Sequence, residues 1–138
     1  MHLRLFAPYW PHQGLGLVRI IFGLLLIYHG KEVFQPDVMA GYLDWAPFQG
    51  AGGRVWVYVG KSSELIAGLS LALGLFTRLG AMLCMGTLAY VTFFVGQGRF
   101  WYEDQHPFMF VLMGLLFFFT GPGAWSLDSR LSTQRDPR

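Results

Sequence analysis

Charge is what this sequence has least of. Asp, Glu, Lys and Arg make up 13% of its 138 residues, against roughly 25% in an ordinary soluble domain. The few cations are scattered. A formal net charge of +2 and a pI of about 8.9 come without any basic run able to track a phosphate backbone, which argues against nucleic acid as a partner. There is one cysteine, Cys84, so an internal disulfide framework and dithiol redox chemistry within the chain are excluded. Between Leu83 and Met85 it reads as a small packing residue rather than a reactive thiol. Missing too are a nucleophile with a positioned base, a phosphate-binding loop and a clustered metal motif.

What is present is apolar and aromatic. Hydrophobic residues account for 54% of the chain, with 13 Phe, 6 Tyr and 5 Trp and a mean hydropathy of +0.42. One soluble core of about 140 residues could not bury that much, and disorder is equally excluded. A bilayer core about 30 Å thick takes about 20 mainly apolar residues per helix. Four stretches approach that length, at about 15–33, 55–75, 79–97 and 104–120. The expectation is an all-α, single-domain integral membrane protein, a four-transmembrane-helix bundle over residues 1–138, multi-pass in a bacterial cytoplasmic (inner) membrane and embedded in the lipid bilayer.

Local signals refine this outline. Little besides Arg78 separates the second and third spans, which calls for a tight antiparallel hairpin. Asp104 suits a helix N-cap, Pro107 is tolerated in a first turn, and Gly121-Pro122-Gly123 breaks the last span. No small-residue cleavage site follows the first span, so it is expected to stay in the mature protein. Between Gln35 and Gly53, the residues Val38, Met39, Tyr42, Leu43 and Trp45 stand at helical spacing behind Asp37, predicting a short interfacial helix. The polar tail from Ser126 to Arg138 is expected to be short or frayed. Four spans put both termini on one side. Arg4, Arg78, Arg130, Arg135 and Arg138 would lie there, against Lys31, Arg54 and Arg99 opposite, so both ends are predicted cytoplasmic.

Ionisable residues inside the spans are the most informative. Each costs at least about 2.5 kcal/mol near the bilayer centre and so needs a partner or water. Counted from Gly14 and Val55 at 1.5 Å per residue, Arg19 and Glu64 differ in height by about 9 Å, which a long guanidinium and a modest tilt nearly bridge. An Arg19–Glu64 pair is therefore expected, with His29 and Lys61 in a layer nearer the outer surface. Gly60, Glu64 and Gly68 share one helical stripe and Arg19, Gly23, Leu26 and Gly30 another, and the two are expected to face one another. On a purely structural reading the pair fixes helix register, and Lys61 snorkels outward. On a functional reading, His29, Lys61 and Glu64 line a pocket open to the outer leaflet, with Glu103, Asp104 and His106 at its rim.

As a set, RIIFGLLLIYHG (Arg19 to Gly30), ELIAGLSLALGLFTRLGA (Glu64 to Ala81) and TGPGAWSLD (Thr120 to Asp128) resemble the DoxX family of small four-helix bacterial membrane proteins. The resemblance runs from about Leu15 to Asp128, and Arg19, His29, Glu64 and Arg78 fall on its recurring polar positions. It implies a link to a quinone-reducing thiosulfate oxidoreductase, membrane redox complexes and oxidative-stress defence, without assigning an activity or a cofactor to this chain. Lys31 departs from the family's usual lysine position.

Three functions compete. One is a quinone-binding subunit of a membrane redox system, with a soluble or membrane redox partner. Another is a non-catalytic scaffold docking a partner protein. The third is a proton-coupled carrier using Glu64, which four helices could sustain only as an oligomer; a homo-oligomer is the expected state. Haem or a metal held by His29 and His106 is disfavoured, because two lone histidines at helix ends serve more often as hydrogen-bonding groups than as ligands.

Overall fold

A computed structural model of the chain describes residues 9–134. Among these the structure is all-helical, with no strand. Four long helices, α1 (Pro11–Gly30), α3 (Gly53–Leu73), α4 (Thr77–Tyr90) and α5 (Gln105–Thr120), are joined by two short ones, α2 (Pro36–Tyr42) before α3 and α6 (Leu127–Gln134) after α5. The helix of α4 continues through a π turn at Val91–Val95. From Thr77 to Val95 it is long and apolar enough to cross a membrane, at a mean hydropathy of 1.5, while Gln105–Thr120 is a shorter apolar helix.

Helix ends follow local chemistry. Pro11 opens α1 at its first position, where a missing N–H costs nothing. Gly74, with φ of 64°, closes α3 in a Schellman turn whose N–H groups return to Leu71 and Ser70. The hairpin into α4 is thus as tight as expected, and Arg78 sits exposed just beyond it. Asp104 does occupy the N-cap position of α5, yet its carboxylate makes no capping bond there. It turns back and accepts from the N–H groups of Gln97 and Arg99, both at 2.9 Å. The C-terminal segment departs most from expectation. Residues 127–134 form a helix, exposed from Ser129 to Thr133 and tied to the bundle through Asp128, and the remaining tail residues, with Arg4 of the orientation argument, lie outside the described residues.

Antiparallel α1 and α3 make the closest pairing. Gly23 lies against Ala72 and Gly68, Gly68 against Ile27, and Gly30 against Leu65, so tightly that a Cβ on any of these glycines would strike the opposing backbone. The predicted stripes therefore face one another, except at Gly60, which has nothing within 4 Å. Gly80 against Ser70 joins α3 to α4, and Gly114 against Ala81 and Met85 joins α4 to α5. Phe22 of α1 closes the circle on Phe110 and Phe117 of α5, with ring centroids 5.3 and 6.0 Å apart. The shared core holds Phe22, Leu26, Ala67, Leu71, Ala81, Cys84, Leu88, Phe110 and Phe117. Cys84 is a buried packing residue whose Sγ is 3.7 Å from the Phe110 carbonyl.

Candidate functional site

The polar residues divide into two clusters at opposite ends of the bundle. Register decides this. With Gly30 opposite Leu65 and Gly23 opposite Ala72, Arg19 falls level with the α3–α4 turn, about twelve residues or ~18 Å along the axis from Glu64. The expected Arg19–Glu64 pair does not form. The pairing register, which sets Arg19 opposite the turn after α3, doubles the separation expected from helix ends, and no tilt spans it.

At the α3–α4 end, Arg19 is fully buried. It donates from Nη1 to the carbonyl of Pro122 (2.8 Å) and from Nη2 to those of Trp125 (3.0 Å) and Ala124 (3.4 Å). These carbonyls belong to the irregular segment after Gly121, where no helix supplies donors. Asp128 completes the cluster. Its carboxylate caps α4 by accepting from the N–H groups of Phe76 (2.7 Å) and Thr77 (2.8 Å), and its own N–H returns to the Gly74 carbonyl (2.9 Å). Arg19 and Asp128 fasten the C-terminal segment across the α3–α4 turn; they form a brace at the end of the bundle away from Glu64.

At the other end, the cation partnering Glu64 is Lys61, one turn away on the same helix. Lys61 Nζ lies 2.8 Å from Glu32 Oε2 and 3.1 Å from Glu64 Oε2. Tyr42 of α2 donates its phenol to that same Glu32 oxygen at 2.6 Å, and Lys61 stands 4.9 Å from the centre of the Tyr42 ring. Burial, with the hydrogen bond to Glu32, pushes the Tyr42 phenol above its ordinary range. Lys61 does not snorkel into solvent; it is held by two acids. Glu32 and Tyr42 went unrecognised in the sequence because Glu32 closes the first span and Tyr42 sits in a connector. Glu32, three residues after His29, was the available signal.

Beside this triad lies a cavity of about 510 Å³. His29 and Leu26 line it from α1, Gly60, Lys61 and Glu64 from α3, Thr87 and Tyr90 from α4, His106 and Phe110 from α5, and Tyr42, Trp45 and Phe48 from the connector. The His29 and His106 rings are 5.4 Å apart, and both pack on Phe110. His29, Lys61, Glu64 and His106 are thus brought together. Glu103 and Asp104 are not among the lining residues: Glu103 pairs with Arg99 at 3.1 Å on an exposed loop, and Asp104 serves the loop backbone. Lys31 lies 4.3 Å over the Tyr28 ring, away from the triad. No group of three or more His, Cys, Asp or Glu stands together as a metal site among the described residues.

A helical bundle with a buried basic brace at one end and an acid-rich aromatic cavity at the other defines a small all-α protein with a membrane-compatible apolar helix. The chain belongs to the DoxX family, a membrane-associated family whose model matches residues 14–97. A curated relative in Haemophilus influenzae (strain ATCC 51907 / DSM 11121 / KW20 / Rd), described as an uncharacterized protein, is 30% identical over 94% of this chain and 96% of its own length. No solved structure matches the chain.

Proposed function

We propose that this protein is a four-span membrane subunit that binds a quinone in the cavity beside Glu64, serving a membrane redox complex. Four spans are supported by the distribution of apolar side chains. Leu17, Ile21, Leu24 and Leu25 of α1, Ile66, Leu69 and Leu73 of α3, Leu79 and Met82 of α4, and Leu112, Leu115 and Phe119 of α5 all point outward, while Arg19 and Glu64 are buried. Such outward apolar area fits acyl chains. At 1.5 Å per residue, α1 and α3 are each about 30 Å long, matching the hydrocarbon core. The cavity end carries Lys31, Arg54 and Arg99, and by the arginine distribution it faces the outer leaflet of a bacterial inner membrane, with both termini cytoplasmic.

The observation that carries the ligand reading is the cavity itself, an aromatic slot with one polar edge. A quinone pairs a flat ring and a greasy tail with two polar oxygens, which such a site accommodates. On this reading a partner subunit of the redox complex exchanges electrons with the bound quinone. Purification in mild detergent followed by solvent extraction and mass spectrometry tests this. A co-purifying quinone, and a raised melting temperature on adding more, is the expected result. Protein free of quinone and indifferent to it would overturn the reading.

A further inference from the structure

Helices α3 and α4 meet closely at one end and part at the other. Next to the turn that joins them, a Cβ on Gly80 would strike the Ser70 hydroxyl. Further along the hairpin stand Gly60 and Gly86, small enough for an equally close approach, yet each has nothing within 4 Å. Both line the cavity. With the antiparallel pairing counted from Gly80 and Ser70, Gly86 falls opposite Glu64 and Gly60 opposite Tyr90. Trp56 stacks on Tyr90, ring centroids 6.4 Å apart, and bridges the two helices at the connector end of the gap.

The gap is a mouth. Val59, Met82, Gly86 and Tyr90 line the cavity and are at the same time exposed on the outer surface, so the cavity reaches that surface between α3 and α4. Toward the connector it is roofed by Tyr42, Trp45 and Phe48. Tyr42 is tied to Glu32, and the Phe48 carbonyl lies against Gly53. Gly86 stands ~14 Å along the axis from the start of α4 at Thr77, near the middle of a hydrocarbon core about 30 Å thick. On the four-span placement proposed above, the mouth opens on acyl chains and the roof faces the water.

We infer that this cleft is a lateral portal, through which the cavity takes an uncharged single-chain amphiphile directly from the bilayer. Its chain lies over Gly60 and Gly86, and its polar head reaches the Lys61–Glu64 edge. The class of head follows from the route. A permanently charged head would have to leave the interface and cross hydrocarbon at mid-helix depth to enter, and the charge of Lys61 is already matched by Glu32 and Glu64. A hydroxyl or carbonyl head enters without that cost. Gly60 and Gly86 are the positions that determine specificity, because their missing side chains leave the room the chain takes. The inference rests on the membrane placement above and holds whether or not the occupant is a quinone.

The test places the full chain in phosphatidylcholine nanodiscs with a hexadecanol carrying a mid-chain diazirine, illuminates it and maps the label by peptide mass spectrometry. Leu26, Val57, Leu88 and Phe110 line the cavity and are buried from bulk lipid, so label on them comes from an occupant. Label there is expected, competed by plain hexadecanol and at least about tenfold less well by hexadecyl sulfate or hexadecyltrimethylammonium. In Gly86→Phe the ring fills the mouth, and cavity label is expected to fall by at least about tenfold. Label unchanged in Gly86→Phe but altered in Trp45→Ala, which thins the roof, would place entry at the connector and overturn the portal. Equal competition by the charged amphiphiles overturns the uncharged class, and that comparison on the unmodified protein stands even if a variant does not fold. A cavity without hexadecanol label overturns the inference and leaves the quinone reading to its extraction test. A cavity labelled by hexadecanol in a protein indifferent to quinone overturns that reading and leaves the inference standing.

Discussion

Arg19 and Glu64 are both buried ionisable residues in an apolar bundle, yet they have different work. Arg19 satisfies three carbonyls that no helix serves, so Arg19→Ala leaves several buried acceptors unpaired and is expected to cost at least about 3 kcal/mol. Arg19→Lys keeps the charge and loses the planar fork, and should fall between. Asp128→Ala removes the cap of α4, worth about 1–2 kcal/mol. Thermal unfolding in detergent checks all three, and the folded fraction of each variant should bind its ligand normally, because the brace is remote from the cavity. Tyr42 gives a pH signature. Its phenol is held protonated by burial and by the Glu32 acceptor, so its contribution is complete below the ordinary tyrosine range and is lost as pH rises through the raised value. Ultraviolet difference titration should find one tyrosine ionising late. In Tyr42→Phe that late step should vanish, with a loss of about 1 kcal/mol at neutral pH. Arg19, Lys61 and Glu64 stand out in the sequence as ionisable residues inside apolar spans; the partners they take, Glu32 and Tyr42 among them, do not. A backbone carbonyl has no letter in a sequence, so the Arg19 acceptors were invisible apart from the break at Gly121-Pro122-Gly123. Lys61 was seen, but its second acid, Glu32, lies across a helix boundary.

Among the elements, the long helices were readable because length, hydropathy and breakers agree. The structure begins α1 four residues before the expected span and ends it at Gly30, and α3 and α4 each start two residues early. Those small shifts, together with an unknown pairing register, were enough to misplace Arg19 relative to Glu64. Helix α6 was illegible for another reason: its residues are polar, and its order comes from tertiary contacts, chiefly Asp128 on the α4 N-terminus. The connector helix α2 was anticipated, but not its part in the site through Tyr42. The α1–α3 seam yields a paired prediction. A Cβ at Gly68 would meet the Ile27 backbone nitrogen at 2.7 Å, so Gly68→Ala must push the helices apart, at a cost of about 1–3 kcal/mol. Gly60, on the same stripe, has open space, and Gly60→Ala should be neutral or stabilising by up to about 1 kcal/mol through helix propensity. Denaturation of the two variants in the same detergent checks the contrast; equal effects would mean the seam is not packed as described.

For the molecule as a whole, the proposed topology sets the cavity end outward and the Arg19 brace inward. Cysteines placed at Lys31 and Arg99 should then react with a membrane-impermeant maleimide on intact cells, and one at Arg78 only after lysis, with buried Cys84 silent in both. The reverse pattern would invert the topology without altering the fold. On the proposed function, an amphipathic ring seats in the slot between the helices and not on their outer apolar faces, which present far more surface. Photo-crosslinking with an azido-quinone analogue in membranes, mapped by peptide mass spectrometry, tests it most directly. The label is predicted on Trp45, Trp56, Tyr90 or Phe110 of the cavity wall, competed away by unlabelled quinone. Label confined to outward residues such as Leu24, Ile66 or Leu115, and insensitive to competitor, would contradict it.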